Sequence, residues 1–533
     1  MARMVRMAGM TRFHRFPTFR FGLWLVLAVS LPGLGVAFGA SSEGPAGAAP
    51  TVPDSRAGGS RLVLPDPVIH PHSAEICSNS RISYHGGWSA GATESMLANV
   101  LFAAGRAPVT GGSRTIYVAT ASNVSIYDPA SHSLILHKSG DWREDSSASF
   151  EVGIAAEQIV DAGAAMHLAQ LESVTTWTGT ANQLASCPRA SATTYANGHW
   201  SPVEPIDIVI SFGMRSVPGL TTTLVATSSD GSLPDPHTDG TVYMDDVLHD
   251  LAYGSSFADE DLSLDQVSQI LWAAYGCSDH RAAGSKAGLT VSSAVANYYL
   301  TRRIYWVGPD GVFRYHNRLP PGTDATTRDH RIEQVQSGDA RPALRGQVPG
   351  LPEAPGYLIA CSGTATDWAV LECGFAAVGG VLQASSIGLQ GWLRAGLTGQ
   401  EQAGIRSATG IPSADLPWVI VCAGRSGDAS AVEEDARATA EGDLSLIVEN
   451  PPAAGGSISV RYRLPGDCQV DLAVHDASGQ RIVALVGERQ GAGDHRTTWD
   501  GRDERGRAVA SGVYFVHLKA GEREATSQVT LLR

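Results

Sequence analysis

The stretch ILWAAYGC at residues 270–277 nearly repeats an earlier one, VLFAAGRA at residues 100–107. Each is followed by an Ile-Tyr pair that opens an alternating run, a turn containing Gly or Asn, and a second run that ends in Tyr. These features lie within residues 114–143 and 302–322, and a Ser-Gly-Asp triplet comes afterwards in both halves. The alternation and the turn residues predict one β-hairpin after each apolar segment.

The match continues through two further elements in the same order. Residues 157–179 and 368–396 each hold a long segment rich in Ala and Gly, which predicts a closely packed core helix, followed by a Trp-containing strand. Residues 206–215 and 417–425 then supply an apolar strand in each half. Four matched elements predict two copies of one α+β unit.

This organisation divides the chain into seven segments. We expect a signal peptide at 1–40, a flexible leader at 41–60, a shortened first unit at 61–226, a linker at 227–249, a second unit at 250–426, a linker at 427–444 and a C-terminal β-sandwich at 445–533. The long helices, predicted at 157–171 and 370–387, should pack against each other.

The N-terminus has the pattern of an export signal. Five arginines precede the apolar run FGLWLVLAVSLPGLGVAFGA, and small residues follow it. A retained membrane anchor is the alternative. Cleavage would leave no stable membrane span and predicts a location outside the cytoplasm. The net charge of −14 argues against a nucleic-acid partner.

Other motifs carry weaker signals. Seven cysteines without a C-x-x-C exclude a typical zinc ribbon, although a Cys77–Cys187 bridge is open in an oxidising compartment. The sequence HGGWSAG makes Ser89 a candidate hydrolase nucleophile, but the preceding segment is short and polar for a central strand. His70 and His72 lie in a proline-containing loop, so no metal site is predicted.

The second unit resembles the nitroreductase family, especially its SagB-type dehydrogenase branch. The resemblance is carried by LSLDQVSQILWAAYG (262–276), TVSSAVANYY (290–299) and VLECGFAAVGGVLQASSIGLQGW (370–392). It implies FMN bound at a dimer interface and hydride transfer from NAD(P)H or a substrate. Because one chain carries both units, the resemblance implies an intrachain pseudo-dimer that supplies both halves of that interface.

The sequence departs from the family pattern at three places. Ser255 stands where the resemblance puts an arginine for the FMN phosphate, and residues 292–295 replace a Pro-Ser-Ala-Gly loop, with Val295 at the glycine. Residues 378–379 are Val-Gly where the family has Gln-Asn. Losing the guanidinium removes a charge-assisted contact worth about 1.5–3 kcal/mol. An active oxidoreductase and a degenerate binding or structural module both remain open.

The resemblance gives Ser293, Asn297 and Arg425 as candidate FMN contacts, with no catalytic residue assigned. Five other cations are candidates to replace the missing phosphate arginine: Arg215, Arg281, Lys286, Arg302 and Arg303. Nitroaromatic, quinone and peptide-azoline chemistry all occur in the family, so the expected partner is a small-molecule or peptide substrate.

Residues 445–533 change to short alternating strands, which predict a small β-sandwich. WDGRDERGRAVASGVYFVHL (499–518) resembles FlgD-like Ig modules of exported bacterial proteins, many with type IX-type sorting. The resemblance implies attachment or contact with sorting machinery. The acidic residues Asp500, Asp503 and Glu504 are interpreted as hairpin turns rather than a calcium site.

Overall fold

The structure is a computed structural model that describes residues 61–84, 86–89, 91–179, 182–222, 230, 232–281, 287–293, 297–318, 328–427, 445–449, 458–464, 466–476, 480–491, 493–499, 501–510, 512–521 and 523–531. The predicted signal peptide and leader lie outside these residues, as do Val295, Lys286 and all but the first residue of the linker 427–444.

A seven-stranded antiparallel sheet organises the first unit, residues 61–216. The strand order is β1-β4-β3-β2-β5-β7-β6. Its elements are β1 (Arg61–Val63), α1 (Ala74–Ser80), α2 (Glu94–Arg106), β2 (Arg114–Ala119), β3 (Asn123–Asp128), β4 (Ser133–Ser139), β5 (Phe150–Ala156), α3 (Ile159–Thr175), β6 (Asn182–Pro188), α4 (Ala190–His199) and β7 (Ile208–Ser216).

A six-stranded antiparallel sheet organises the second unit, residues 244–424, in the order β12-β11-β10-β13-β15-β14. The elements are α5 (Met244–His249), α6 (Leu264–Tyr275), β8 (Cys277–Arg281), β9 (Ala287–Leu289), β10 (Ile304–Gly308), β11 (Gly311–Arg318), β12 (Arg328–Ser337), α7 (Arg341–Gln347), β13 (Gly356–Ser362), α8 (Asp367–Ser386), β14 (Gln390–Arg394), α9 (Gly399–Thr409) and β15 (Leu416–Gly424). The order repeats that of the first sheet, with β12 in the place of β4 and β14 in the place of β6.

Local sequence explains where the matched helices begin. Thr93 caps α2 by accepting from the backbone N–H of Met96 at 3.2 Å. Ser263 caps α6 in a capping box with Gln266, in which the side-chain oxygen of each residue accepts a hydrogen bond from the backbone N–H of the other. Both apolar segments quoted above are therefore the buried halves of capped helices.

Helices α3 and α8 pack backbone against backbone at two glycines. A Cβ added to Gly163 would lie 2.3 Å from the carbonyl oxygen of Leu371, and one added to Gly374 would lie 2.1 Å from that of Val160. Both helices are buried along nearly their whole length. Among the described helices, only α8 is long and apolar enough to cross a membrane, and its burial marks it as a core helix.

Several local predictions differ from the structure. The long helices run over Ile159–Thr175 and Asp367–Ser386 rather than 157–171 and 370–387. Trp177 lies in the loop before β6, not in a strand, and its indole N–H donates to the Leu184 carbonyl at 2.8 Å. The linker predicted at 227–249 contains helix α5. Cys77 and Cys187 are both buried, and no disulfide joins them in the structure.

Two antiparallel sheets form the C-terminal module. Their orders are β16-β17-β21 and β19-β18-β22-β23, with β20 paired to β18. The strands are β16 (Ser445–Glu449), β17 (Ile458–Leu464), β18 (Cys468–Asp476), β19 (Arg481–Val486), β20 (Arg489–Gln490), β21 (Gly493–Trp499), β22 (Gly512–Ala520) and β23 (Arg523–Leu531). Trp499 and Tyr514 meet edge to face inside, with ring centroids 5.0 Å apart.

Candidate functional site

The first turns of α8 carry a carboxylate into the protein interior. Glu372 is fully buried, and its Oε2 accepts from the Tyr275 hydroxyl and the Tyr299 N–H, each at 2.8 Å. Its Oε1 bonds to the Ser293 hydroxyl, which also accepts from the Tyr298 N–H at 2.6 Å. Burial raises the pKa of Glu372 to about 8, while these donors act in the opposite direction. A carboxyl group at this position therefore titrates close to neutral pH.

A buried guanidinium lies between the two units. Arg81 follows α1 and is fully buried. Its N–H groups donate to the carbonyls of residues 289–291 and to the hydroxyls of Ser83 and Ser292, at 2.8 to 3.2 Å. Burial lowers its pKa to about 10, so it is a cation at neutral pH. Within the described part of the chain, no carboxylate pairs with it.

Helix α3 adds polar groups that have no partners. Gln170 accepts from the Ser292 hydroxyl at 2.7 Å, but its side-chain NH₂ makes no hydrogen bond with any described group. The same holds for both ring nitrogens of fully buried His167, whose ring stacks on Phe375 with centroids 6.0 Å apart. Burial lowers the pKa of His167 to about 3, so the ring is neutral. Such orphaned groups are uncommon in a finished core and are typical of a place where a ligand binds.

These groups form one connected network. The Ser83 and Ser292 hydroxyls bond at 3.0 Å, which links Arg81 to Gln170, and the next residue, Ser293, reaches Glu372. The network combines one cation, one carboxyl group with a raised pKa, and the unpaired side-chain amide of Gln170 on α3. It can bind an anion and hold a proton nearby.

The structure separates the three predicted FMN contacts. Ser293 is part of the buried network, and Asn297 lies at its edge, donating to the Tyr299 hydroxyl at 3.1 Å. Arg425 follows β15 and instead pairs with Glu260 at 3.0 Å, where both side chains are more than a third exposed. No described hydrogen bond joins Arg425 to Ser293 or Asn297.

Two of the other cations proposed to compensate, Arg215 and Arg303, are engaged elsewhere. Arg215 donates to the Gly86 carbonyl at 2.6 Å, and Arg303 pairs with Asp415 at 2.9 Å. Arg302 has a positive φ of 61° and a buried Nε without a described partner. The side chain of Arg281 is not among those described. No described contact of these cations reaches the carbonyls of residues 289–291, to which Arg81 donates.

The sequence does not indicate Arg81, because the segments that resemble the nitroreductase family all lie in the second unit. Ser83 pairs in parallel with Ser186 of β6, and Tyr253 pairs in the same way with Gly391 of β14. Since β6 and β14 hold equivalent places, Arg81 corresponds to Leu251, two residues before Tyr253. No local signal marks Arg81, because the family pattern implies the phosphate arginine at Ser255, four residues after Leu251.

The structure also shows where the candidate hydrolase serine and the acidic C-terminal turn lie. Ser89 is exposed, forms an isolated bridge with Met214 of β7 and donates its hydroxyl to that residue's carbonyl. No described histidine or carboxylate bonds to Ser89, so a hydrolase triad is not formed by the described residues. Asp503 accepts from Arg507, and Glu504 pairs with Arg481 at 3.1 Å, as expected for a solvated turn; Asp500 lies outside the described residues.

Comparison with known proteins assigns a family to the C-terminal module. The C-terminal module matches the FlgD Ig-like domain family over residues 450–524. No curated protein matches the chain. An assigned nitroreductase from Anabaena variabilis is 12% identical, with 65% of this chain and 93% of that chain covered and a TM-score of 0.45. Another, from Ralstonia eutropha, is 21% identical, with 39% and 96% covered and a TM-score of 0.30.

FlgD from Pseudomonas aeruginosa is 21% identical, with 17% of this chain and 74% of that chain covered and a TM-score of 0.14. The predicted α+β fold and the C-terminal module are confirmed. The chain comprises an α+β region and a C-terminal FlgD Ig-like module.

Proposed function

We propose that the chain is an exported, FMN-dependent oxidoreductase of the nitroreductase type, formed by an internal duplication, with its flavin phosphate held by Arg81. The observation that carries this proposal is the buried guanidinium without a described carboxylate. A buried cation is costly unless an anion accompanies it. A phosphate monoester provides that anion, and the resemblance implies that the loop containing Ser292 and Ser293 approaches the flavin.

The residues present fit this group. Arg81 supplies the charge, and a bound phosphate would replace some of the protein oxygens to which its N–H groups, and the Ser83 and Ser292 hydroxyls, now bond. The side-chain amide of Gln170 on α3 is the donor that is already unpaired among the described groups. Flavin, when bound, supplies hydride transfer. The chain's own contribution is to exclude water and to hold a proton between Glu372 Oε1 and Ser293 Oγ, since the pKa of Glu372 is raised to about 8.

The duplication predicts one flavin per chain. The first unit contributes Arg81, but the equivalent place in the second unit holds Leu251, which cannot pair with a phosphate. A symmetric pair of sites would need both arginines. We therefore expect the pseudo-dimer to bind a single FMN, in contrast to a two-fold symmetric dimer.

Titration of the purified mature chain with FMN tests the proposal. We expect one FMN per chain, and Arg81→Lys should weaken binding about 10- to 100-fold, because it keeps the charge but loses the planar fork. Arg425→Lys is the matched control and should bind as the wild type does. Binding that is unaffected by Arg81→Lys would overturn the assignment. Melting temperatures without flavin separate binding from folding.

One observation favours a second function, a catalytically inactive binding module of the cell envelope. The N–H groups of Arg81 are already satisfied by protein oxygens, which stabilises the network without a ligand. A well-folded chain that binds no FMN, and oxidises no NADH or NADPH when flavin is added, would support this second function.

Export and sorting form a separate part of the proposal. The basic and apolar N-terminus is expected to direct export, and the FlgD-like module to contact sorting machinery. Fractionation should find the processed chain outside the cytoplasm, and a chain ending at residue 444 should fold but be retained in the periplasm. Unprocessed protein in the cytosol, or normal surface delivery of the shortened chain, would contradict these expectations.

A further inference from the structure

Three segments far apart in sequence bring a histidine and two carboxylates together. His70 precedes α1, Glu172 is near the end of α3, and Asp245 is at the start of α5. One potential ligand atom from each lies within 4.8 Å of the others. The His70 Nδ1 is 3.3 Å from Asp245 Oδ2, and the His70 backbone N–H donates to the same oxygen at 2.5 Å.

The charge at this cluster is not balanced by protein groups. Glu172 and Asp245 are both buried, and neither pairs with a lysine or arginine among the described residues. Two carboxylates so close together repel each other unless a cation or a shared proton lies between them. Either a cation or a shared proton therefore lies between Glu172 and Asp245, and burial together with Asp245 raises the pKa of Glu172.

One oxygen of Glu172 points independently to a ligand. Its Oε1 accepts from the Asn99 amide at 2.9 Å and from the Thr175 hydroxyl at 3.1 Å. Its Oε2 is buried and makes no hydrogen bond with a described group, and the residue is only 1% exposed. The outer contacts hold the carboxylate in place and leave one oxygen available, which is how ligating carboxylates are usually supported.

We propose that His70, Glu172 and Asp245 bind a divalent transition-metal ion of the Zn²⁺ or Mn²⁺ class. One imidazole and two carboxylates are suitable ligands for such ions, whereas Ca²⁺ prefers six to eight oxygens. Ligand atoms on a tetrahedral Zn²⁺ lie about 3.4 Å apart, since each bond is about 2.1 Å. The His70–Asp245 pair already has that separation, and a small side-chain adjustment brings in Glu172.

The position of the site defines its accessibility and effect. The His70 side chain is 23% exposed, so an ion can enter from solvent on that side. His72 stays outside the cluster because its Nε2 bonds to the Trp177 carbonyl at 2.9 Å. A bound ion would join the segment before α1, the end of α3 and helix α5 at the start of the second unit, and it should therefore stabilise their junction.

Metal titration of the EDTA-stripped mature chain tests the proposal with Zn²⁺ and Mn²⁺ as probes. We expect one Zn²⁺ per chain and a melting temperature that rises with its concentration. Glu172→Gln and Asp245→Asn should each weaken binding by more than the 10- to 100-fold that loss of an outer-shell partner costs. Glu372→Gln, the same substitution at an equally buried position on α8, and His249→Ala, at an exposed histidine, are matched controls that should bind normally.

Several results would overturn the proposal. Absence of stoichiometric Zn²⁺ or Mn²⁺ binding by the wild type would leave the two carboxyls as a pair sharing a proton. Binding that survives both Glu172→Gln and Asp245→Asn would place the ion elsewhere. If either variant does not fold, the absorption spectrum of the Co²⁺-loaded wild type tests the ligand set instead. A spectrum without a thiolate band would fit the nitrogen and oxygen ligands, whereas a thiolate band would place the ion on a cysteine and overturn the proposal. None of these metal-binding measurements requires flavin, so a negative result would leave the proposed oxidoreductase function untouched.

Discussion

Substitution of Gly374 by alanine tests the packing of α3 on α8. The new Cβ would lie 2.1 Å from the Val160 carbonyl oxygen and 2.9 Å from the Ala164 nitrogen. Both are backbone atoms, so relief requires the helices to separate by about an ångström. Overpacking of this kind costs about 1–3 kcal/mol of stability. Because the opposing atoms belong to the backbone and cannot rotate away, we expect a cost at the upper end of that range. The helix-propensity gain of about 1 kcal/mol offsets only part, leaving a net loss of about 2 kcal/mol.

Gly380→Ala in the same helix is the matched control. Its Cβ would meet only side-chain carbons of Ile270, Ala274 and Leu358, at 3.7 to 3.8 Å, which is ordinary contact. This variant should keep the wild-type stability or gain up to about 1 kcal/mol. Urea unfolding of the mature chain, followed by tryptophan fluorescence, measures both. Equal midpoints for Gly374→Ala and the wild type would refute the close helix contact.

Three further predictions concern buried groups. The pKa of Glu372 is about 8 in the folded protein, which is above its value in the unfolded chain. The protonated carboxyl group therefore contributes to stability at pH 4, and this contribution is lost as the pH rises through 8. Between pH 5 and 9, the melting temperature of Glu372→Gln should fall less than that of the wild type. His167→Leu should stabilise the flavin-free chain by about 1–3 kcal/mol, as seen in thermal unfolding, because it removes two unpaired buried nitrogens. In the native state, a thiol reagent should react at most with the half-buried Cys468, and after unfolding it should react with all seven thiols. Reaction of only five thiols after unfolding would indicate a Cys77–Cys187 bridge.

The sheet could be predicted from sequence because its signals are local. Alternating residues, the Pro-Asp turn between Gly308 and Gly311, and capping residues such as Ser263 act within a few positions. The repeated order of these signals predicted the repeated strand order. Helix ends were displaced by a few residues because packing of α3 on α8, rather than propensity, decides where each stops.

The buried network could be predicted only in part. Ser293 was found through the family motif, whereas Arg81 sits in a short polar segment that reads as surface. Its burial comes from bonds to residues 289–291, about 200 positions away, which no local pattern records. A signal did exist for Glu372, since it is the one glutamate in the apolar helix α8. The His70, Glu172 and Asp245 cluster likewise joins positions up to 175 residues apart.

The glycine contact between α3 and α8 also has a consequence for how the protein behaves at low concentration. When the two halves of such an interface belong to separate chains, their association depends on protein concentration, and dilution separates them. Here both helices belong to one covalent chain, which fixes their effective concentration through the connection between the units. A site built from both halves should therefore persist in a single molecule, however dilute its surroundings become.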